Sequence, residues 1–150
     1  MFNQDYKEML LCLKEEQAEF IIVGAYAMAA HGFPRSTADF DVWVNPTKEN
    51  SFRVFHALAR FGAPTKDISE DTFTEKGIIY QIGVAPCRID IITEISGNIS
   101  FSEAALHAKR IDFGKVTVPV LSVKNLIANK LATGRPKDLE DADLLQKRLQ

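Results

Sequence analysis

Two carboxylates separated by a single residue, Asp39 and Asp41, stand in the stretch Thr37-Ala38-Asp39-Phe40-Asp41-Val42-Trp43-Val44. The apolar, β-branched and aromatic run after the pair reads as a strand entering a core, and alternation along a strand puts both acids on one face. Like-charged carboxylates side by side repel and raise each other's pKa, so a cation between them is the expected partner. Hard oxygen donors at this spacing suit Mg²⁺ or Mn²⁺. A third acid, Asp90, lies between Ile89 and Ile91. A carboxylate there faces away from its apolar neighbours and is costly unless paired, either with Arg88 or with another cation.

These acids need elements to position them. Apolar residues at Phe2, Tyr6, Met9, Leu10 and Leu13 have helical spacing, with Asn3 or Asp5 as the cap. Phe20-Ile21-Ile22-Val23 reads as a short strand that stops at Gly24, and Ala25 to His31 as a small-residue helix that stops at Gly32. A strand, a glycine and a helix start leave backbone N–H groups facing outward, and the missing side chain lets an anion approach. The loop Phe33-Pro34-Arg35-Ser36 then delivers the chain into the Asp39/Asp41 strand. Thr47 caps a further helix whose apolar face is expected to hold Phe52, Phe55, Leu58 and Ala59, with Gly62 after it.

The acidic stretch 63–74 reads as a solvated loop. Strands are expected over 78–84 and 88–92, then a short helix over 102–109 and a strand pair turning at Gly114. Ser122 caps a helix that carries Val123, Leu126, Ile127 and Leu131 inward. After Thr133-Gly134 a last helix opens, and Asp138, Glu140 and Asp141 suit the positive end of its dipole. His31, His56 and His107 lack partners at ligand spacing and read as structural.

With 150 residues, 46% of them hydrophobic and 25% charged, the chain suits one globular domain over 1–150. A net charge of -2 gives no general reason to expect a nonspecific polyanion binder. No apolar run approaches the roughly 20 residues of a membrane span, and no signal-peptide pattern opens the chain, so a cytoplasmic location is expected. Cys12 and Cys87 show no CxxC or Cys/His spacing and read as small buried hydrophobes in a reducing compartment.

Val23-Gly24-Ala25 followed by Thr37-Ala38-Asp39-Phe40-Asp41 resembles the hG[GS]…[DE]h[DE] signature of the DNA polymerase β-like nucleotidyltransferase superfamily. The segment 23–37 is most similar to the AbiEii toxin-like and minimal nucleotidyltransferases of bacteria. Ala25 departs from the pattern, since it offers no hydroxyl to a phosphate. The resemblance implies an α/β (α+β) fold: a mixed sheet with flanking helices and the active site at one edge. It implies transfer of a nucleoside monophosphate from an NTP to a hydroxyl acceptor, with Asp39, Asp41 and Asp90 binding Mg²⁺ and acting in catalysis. Gly24 and Ala25 would hold phosphates through backbone N–H groups. Arg35, Lys130 and Lys137 are the implied counter-charges; Lys130 and Arg135-x-Lys137-Asp138-x-x-Asp141 resemble the C-terminal element of the AbiEii-like group. The acceptor could be tRNA, a protein or a small molecule. A partner protein, a toxin–antitoxin role and a homo-oligomer are also open.

Two other readings of Asp-x-Asp fit poorly. In dehalogenase-type phosphatases the apolar strand precedes the first Asp, whereas here it follows. Glycosyltransferases with this motif need a larger upstream domain than the 38 residues that precede Asp39. The stronger rival is a nucleotidyltransferase fold that no longer catalyses and acts as a nucleotide sensor or an interaction module. Ala25 favours it and the three acids oppose it.

Overall fold

The structure, a computed structural model, describes residues 2–34, 39–84 and 87–149. The order is α1 (Gln4–Glu15), β1 (Phe20–Val23), α2 (Gly24–Ala30), β2 (Phe40–Val44), α3 (Lys48–Phe61), a 3-10 turn (Thr72–Thr74), β3 (Ile79–Ile82), β4 (Ile89–Ile92), α4 (Phe101–His107), β5 (Lys109–Phe113), β6 (Val116–Val120), α5 (Val123–Thr133) and α6 (Pro136–Leu149). Among the described residues, no helix is long and apolar enough to cross a membrane.

The strands form one six-stranded mixed sheet in the order β3-β4-β2-β1-β6-β5. Strand β1 runs antiparallel to β2 and parallel to β6, and β2 runs parallel to β4. This is the mixed sheet with flanking helices that the sequence implied. On one side of the sheet Phe40, Val42, Val44, Ile89 and Ile91 are buried in a core that also contains Tyr6, Met9, Leu10 and Leu13 of α1. Their alternate neighbours, Asp41 and Asp90, necessarily face the other side.

Local sequence explains most boundaries. The Asn3 side chain accepts hydrogen bonds from the backbone N–H groups of Asp5 and Tyr6, which decides between the two expected caps of α1. Thr47 and Ser122 cap α3 and α5 in the same way. Gly62 ends α3 with φ 95°, a left-handed conformation that glycine adopts without strain.

Several expectations need correction. The buried face of α3 is Asn50, Ser51, Val54, Ala57 and Leu58, and Phe52 is 49% exposed. Two polar side chains took the inward positions because they satisfy backbone groups of neighbouring segments. Asn50 accepts from Glu19 N–H and donates to the Glu19 carbonyl, and Ser51 Oγ accepts from Phe73 N–H at 2.9 Å. That last bond anchors the 63–74 stretch, which is therefore not wholly a solvated loop: Phe73 and Ala63 are buried. Leu131 of α5 points outward, leaving Leu126 and Ile127 as its buried pair. Strand β3 is shorter than 78–84, because Gly83 turns the chain with φ 81°. Helix α4 stops at His107 and β5 starts at Lys109, two residues earlier than expected. Cys87 is exposed rather than buried.

Candidate active site

Asp39 and Asp41 flank Phe40, and Phe40 is what holds them. Its fully buried ring stacks on Tyr6 with centroids 4.7 Å apart and meets the edge of Tyr26 at 5.2 Å. Phe2 joins the same group, 5.6 Å from Phe40. An aromatic anchor at the start of β2 thus fixes the backbone from which both acids project.

The third acid arrives from the neighbouring strand. In the parallel pairing of β2 with β4, Asp41 is directly opposite Asp90. Strand β1 completes the arrangement from the other side, where Val23 pairs with Asp41. The next residue, Gly24, has φ 69°, and a Cβ there would lie 2.3 Å from Asp41 Oδ2. A glycine is required at this point for conformation and for space together. It lets the first turn of α2 pack directly on the Asp41 carboxylate. The Val23 side chain makes no cap hydrogen bond at the start of α2, and Gly24 and Ala25 line the same cleft as the acids.

Electrostatics follow from this crowding. Burial pushes the Asp41 carboxyl up to about 7; the Asp90 and Asp39 carboxylates and a hydrogen bond with Asp90 push the same way, and Arg88 opposes them. Arg88 bridges the other two acids. Its Nε donates to Asp90 Oδ1 at 2.8 Å, and its Nη2 donates to Asp90 Oδ2 at 3.1 Å and to Asp39 Oδ2 at 2.7 Å. Of the two partners that the sequence allowed Asp90, Arg88 is the one seen.

The acids open into a cleft of about 670 Å³ whose lining includes Gly24, Ala25, Lys130 and Lys137. Lys130 is held by two buried acids of α6, with Nζ 3.1 Å from Asp141 Oδ2 and 3.6 Å from Asp138 Oδ1. Arg135 donates to Asp138 from its Nε at 2.7 Å. These contacts hold the Asp138 carboxyl down at about 2, Arg135 contributing most. Asp138 and Asp141 therefore do more than complement a helix dipole; they are buried counter-ions, and only Glu140 of the three is exposed. Lys137 is exposed at the cleft. Arg35 lies outside the described residues.

No protein-family model matches the chain, and no curated protein matches it. Among solved structures it is similar to a Thermotoga maritima protein described as a "putative nucleotidyltransferase". The TM-score is 0.63 over 99% of this chain and 95% of that one, at 15% sequence identity. The chain has the nucleotidyltransferase fold. At that identity the likeness concerns the path of the backbone, and the chemistry has to be argued from this chain's own residues.

Within this nucleotidyltransferase fold, the donor set suits a hard divalent cation: carboxylates on the neighbouring strands β2 and β4 and at the entry to β2, with burial and the other two acids pushing the Asp41 carboxyl up. Among the described residues no three His, Cys, Asp or Glu side chains already converge as a metal centre. Arg88 stands among the acids instead. The expected structural histidines are accounted for in two cases. His31 Nε2 lies 2.8 Å from the Leu121 carbonyl, and His56 Nε2 lies 2.7 Å from Glu70 Oε2. From the residues alone, Asp138 and Asp141 read as helix-end charges, and only the family resemblance grouped them with Lys130 and Arg135. The signal that would have joined them to Lys130 is the i, i+3 spacing of two acids opposite a lysine one turn before a helix break.

Proposed function

We propose that this chain is a metal-dependent nucleotidyltransferase, transferring a nucleoside monophosphate from an NTP to a hydroxyl acceptor. The observation that carries the reading is the register of β2 on β4. It sets Asp41 against Asp90, with Asp39 two residues away, at the end of a cleft that also receives Gly24, Ala25, Lys130 and Lys137. In the reaction the acceptor oxygen bonds to the α-phosphorus, the bond from that phosphorus to the bridging oxygen breaks, and pyrophosphate leaves.

Asp39, Asp41 and Asp90 would hold Mg²⁺ or Mn²⁺. The bound cation supplies neutralisation of the leaving pyrophosphate and a more acidic acceptor hydroxyl. Asp90 would help take the hydroxyl proton. The backbone N–H groups of Gly24 and Ala25 would take phosphate oxygens, and Ala25 limits this contact to the backbone. Lys130, pre-set by Asp138 and Asp141, would face the phosphates as a fixed counter-charge, with Lys137 and Arg35 at the rim. The cleft shares Ile79, Glu94, Ile95 and Ser96 with a neighbouring cavity of about 820 Å³, which gives room for an acceptor. Relationship to the AbiEii toxin-like group, a toxin–antitoxin role, a cytoplasmic location, a single domain over 1–150 and recognition of tRNA, protein or small molecule through a partner chain or a second copy belong to the same proposal.

A silent fold that senses nucleotide is the second reading, favoured by Ala25 and by the guanidinium lodged among the acids. Isothermal titration of each NTP, with and without Mg²⁺, on wild type and on Asp39→Ala/Asp41→Ala tests both. Magnesium-dependent binding that the double variant loses supports the active site, and labelled-nucleotide transfer then separates enzyme from sensor. Absence of any NTP binding at millimolar concentration overturns both.

A further inference from the structure

Arg88 precedes β4 and shares a face with Asp90, two residues on. Its planar fork takes both oxygens of Asp90 and one of Asp39, so a single guanidinium ties the Asp39 segment to β4. The oxygens it occupies are those a divalent cation would need. Arginine stays charged at any ordinary pH, so it cannot yield by losing a proton. It has to move. The side chain is 29% exposed, and the two acids that it bridges, Asp39 and Asp90, line the cleft, so the guanidinium can leave them without opening the core.

Displacement by a bare cation is unfavourable, because it would leave a guanidinium beside a doubly charged ion with no partner. A triphosphate changes that balance. It brings several negative charges and oxygen pairs that match the fork of arginine. Resting on the nucleotidyltransferase reading, we propose that Arg88 is a resident counter-cation that the metal must displace from Asp39 and Asp90. The released guanidinium then takes the phosphates of the incoming nucleotide, so that metal and nucleotide bind as a pair. Arg88 is in this account a positioning residue that couples the two binding events, and in the empty enzyme it holds the Asp39 and Asp90 oxygens against stray metal.

The test is Mn²⁺ binding, followed by electron paramagnetic resonance and by calorimetry at pH 8. Wild type, Arg88→Gln, Arg88→Lys and Asp39→Asn are compared, each with and without a non-hydrolysable analogue of each NTP. Urea midpoints and circular dichroism establish that every variant is folded. Without nucleotide, Arg88→Gln is expected to bind Mn²⁺ on the order of tenfold or more tighter than wild type, since three charge-assisted hydrogen bonds no longer have to be broken. Arg88→Lys, a point charge that cannot fork, should fall between. Adding the analogue should raise the Mn²⁺ affinity of wild type strongly and that of Arg88→Gln much less. Equal or weaker Mn²⁺ binding by Arg88→Gln, with Asp39→Asn abolishing it, overturns the role of Arg88 and leaves the metal site standing. If neither wild type nor Arg88→Gln binds Mn²⁺ at millimolar concentration under any condition, the metal reading falls and takes this proposal with it.

Discussion

Replacing Asp41 with asparagine keeps the shape of the side chain and removes the charge that the fold resists. The Asp41 carboxyl titrates at about 7 in the folded protein against an ordinary value of 3.8, because it is partly buried and faces Asp90 and Asp39. The folded chain therefore holds this proton more tightly than the unfolded chain. Below pH 3.8 both states carry it and the charge costs nothing. As pH rises from there to 7, the unfolded state loses the proton first, and stability falls across that window. The interval corresponds to a ceiling of about 4 kcal/mol, which solvent at the cleft reduces to roughly 2. Urea denaturation in EDTA, followed by tryptophan fluorescence between pH 4 and pH 8, reads it directly. Asp41→Asn should match wild type near pH 4 and exceed it by about 2 kcal/mol at pH 8. A difference that does not change with pH, or a wild type that stays more stable at pH 8, would refute the electrostatic account of the cluster.

Other expectations can be checked with the same apparatus. Gly24→Ala places a Cβ 2.3 Å from Asp41 Oδ2 in a left-handed conformation, so it should lose on the order of 1–3 kcal/mol and abolish NTP binding in calorimetry. Phe40→Ala empties the centre of the aromatic group and should cost about 3–5 kcal/mol in urea denaturation. Asp138→Ala takes one of two acids from the largely buried Lys130 and the partner of the exposed Arg135, and should cost about 1–2 kcal/mol, with Asp138→Asn costing less. Because the Asp138 carboxyl sits low, at about 2, its contribution is present above the ordinary carboxylate value and is lost as pH falls toward 2. Thermal melts of wild type and Asp138→Asn from pH 2 to pH 5 should converge at the acid end.

How much of this was legible beforehand follows from the range of the interactions involved. Strand β2, the turn at Gly24 and the caps at Thr47 and Ser122 are local matters of alternation, backbone freedom and side-chain hydrogen bonds, and the sequence displays them. The pairing of Asp41 with Asp90 is not local. It depends on which strands become neighbours, and only the resemblance to a known family suggested it. The inward face of α3 was misread because Asn50 and Ser51 are buried by bonds to Glu19 and Phe73, residues far off in the chain. A period count sees polarity and turns such residues outward. Asp138 and Asp141 were misjudged for the complementary reason: at the start of a helix an acid already has a sufficient local explanation, which hides its burial against Lys130.

The in-register meeting of β2 and β4 has a consequence for folding as well as for the cleft. Side chains alternate, so sliding β4 by one residue along β2 would turn Asp90 from the cleft side into the core side that Ile89 and Ile91 fill. The slipped pairing would carry that carboxylate, and with it the Arg88 guanidinium that shares its face, in among aromatic rings. These two strands lie 49 positions apart at Asp41 and Asp90, and they are short and rich in interchangeable β-branched residues, the kind that misalign readily. The acid on β4 therefore acts as a proofreader of the sheet: a misthreaded chain is recognised by its own charge and released to try again.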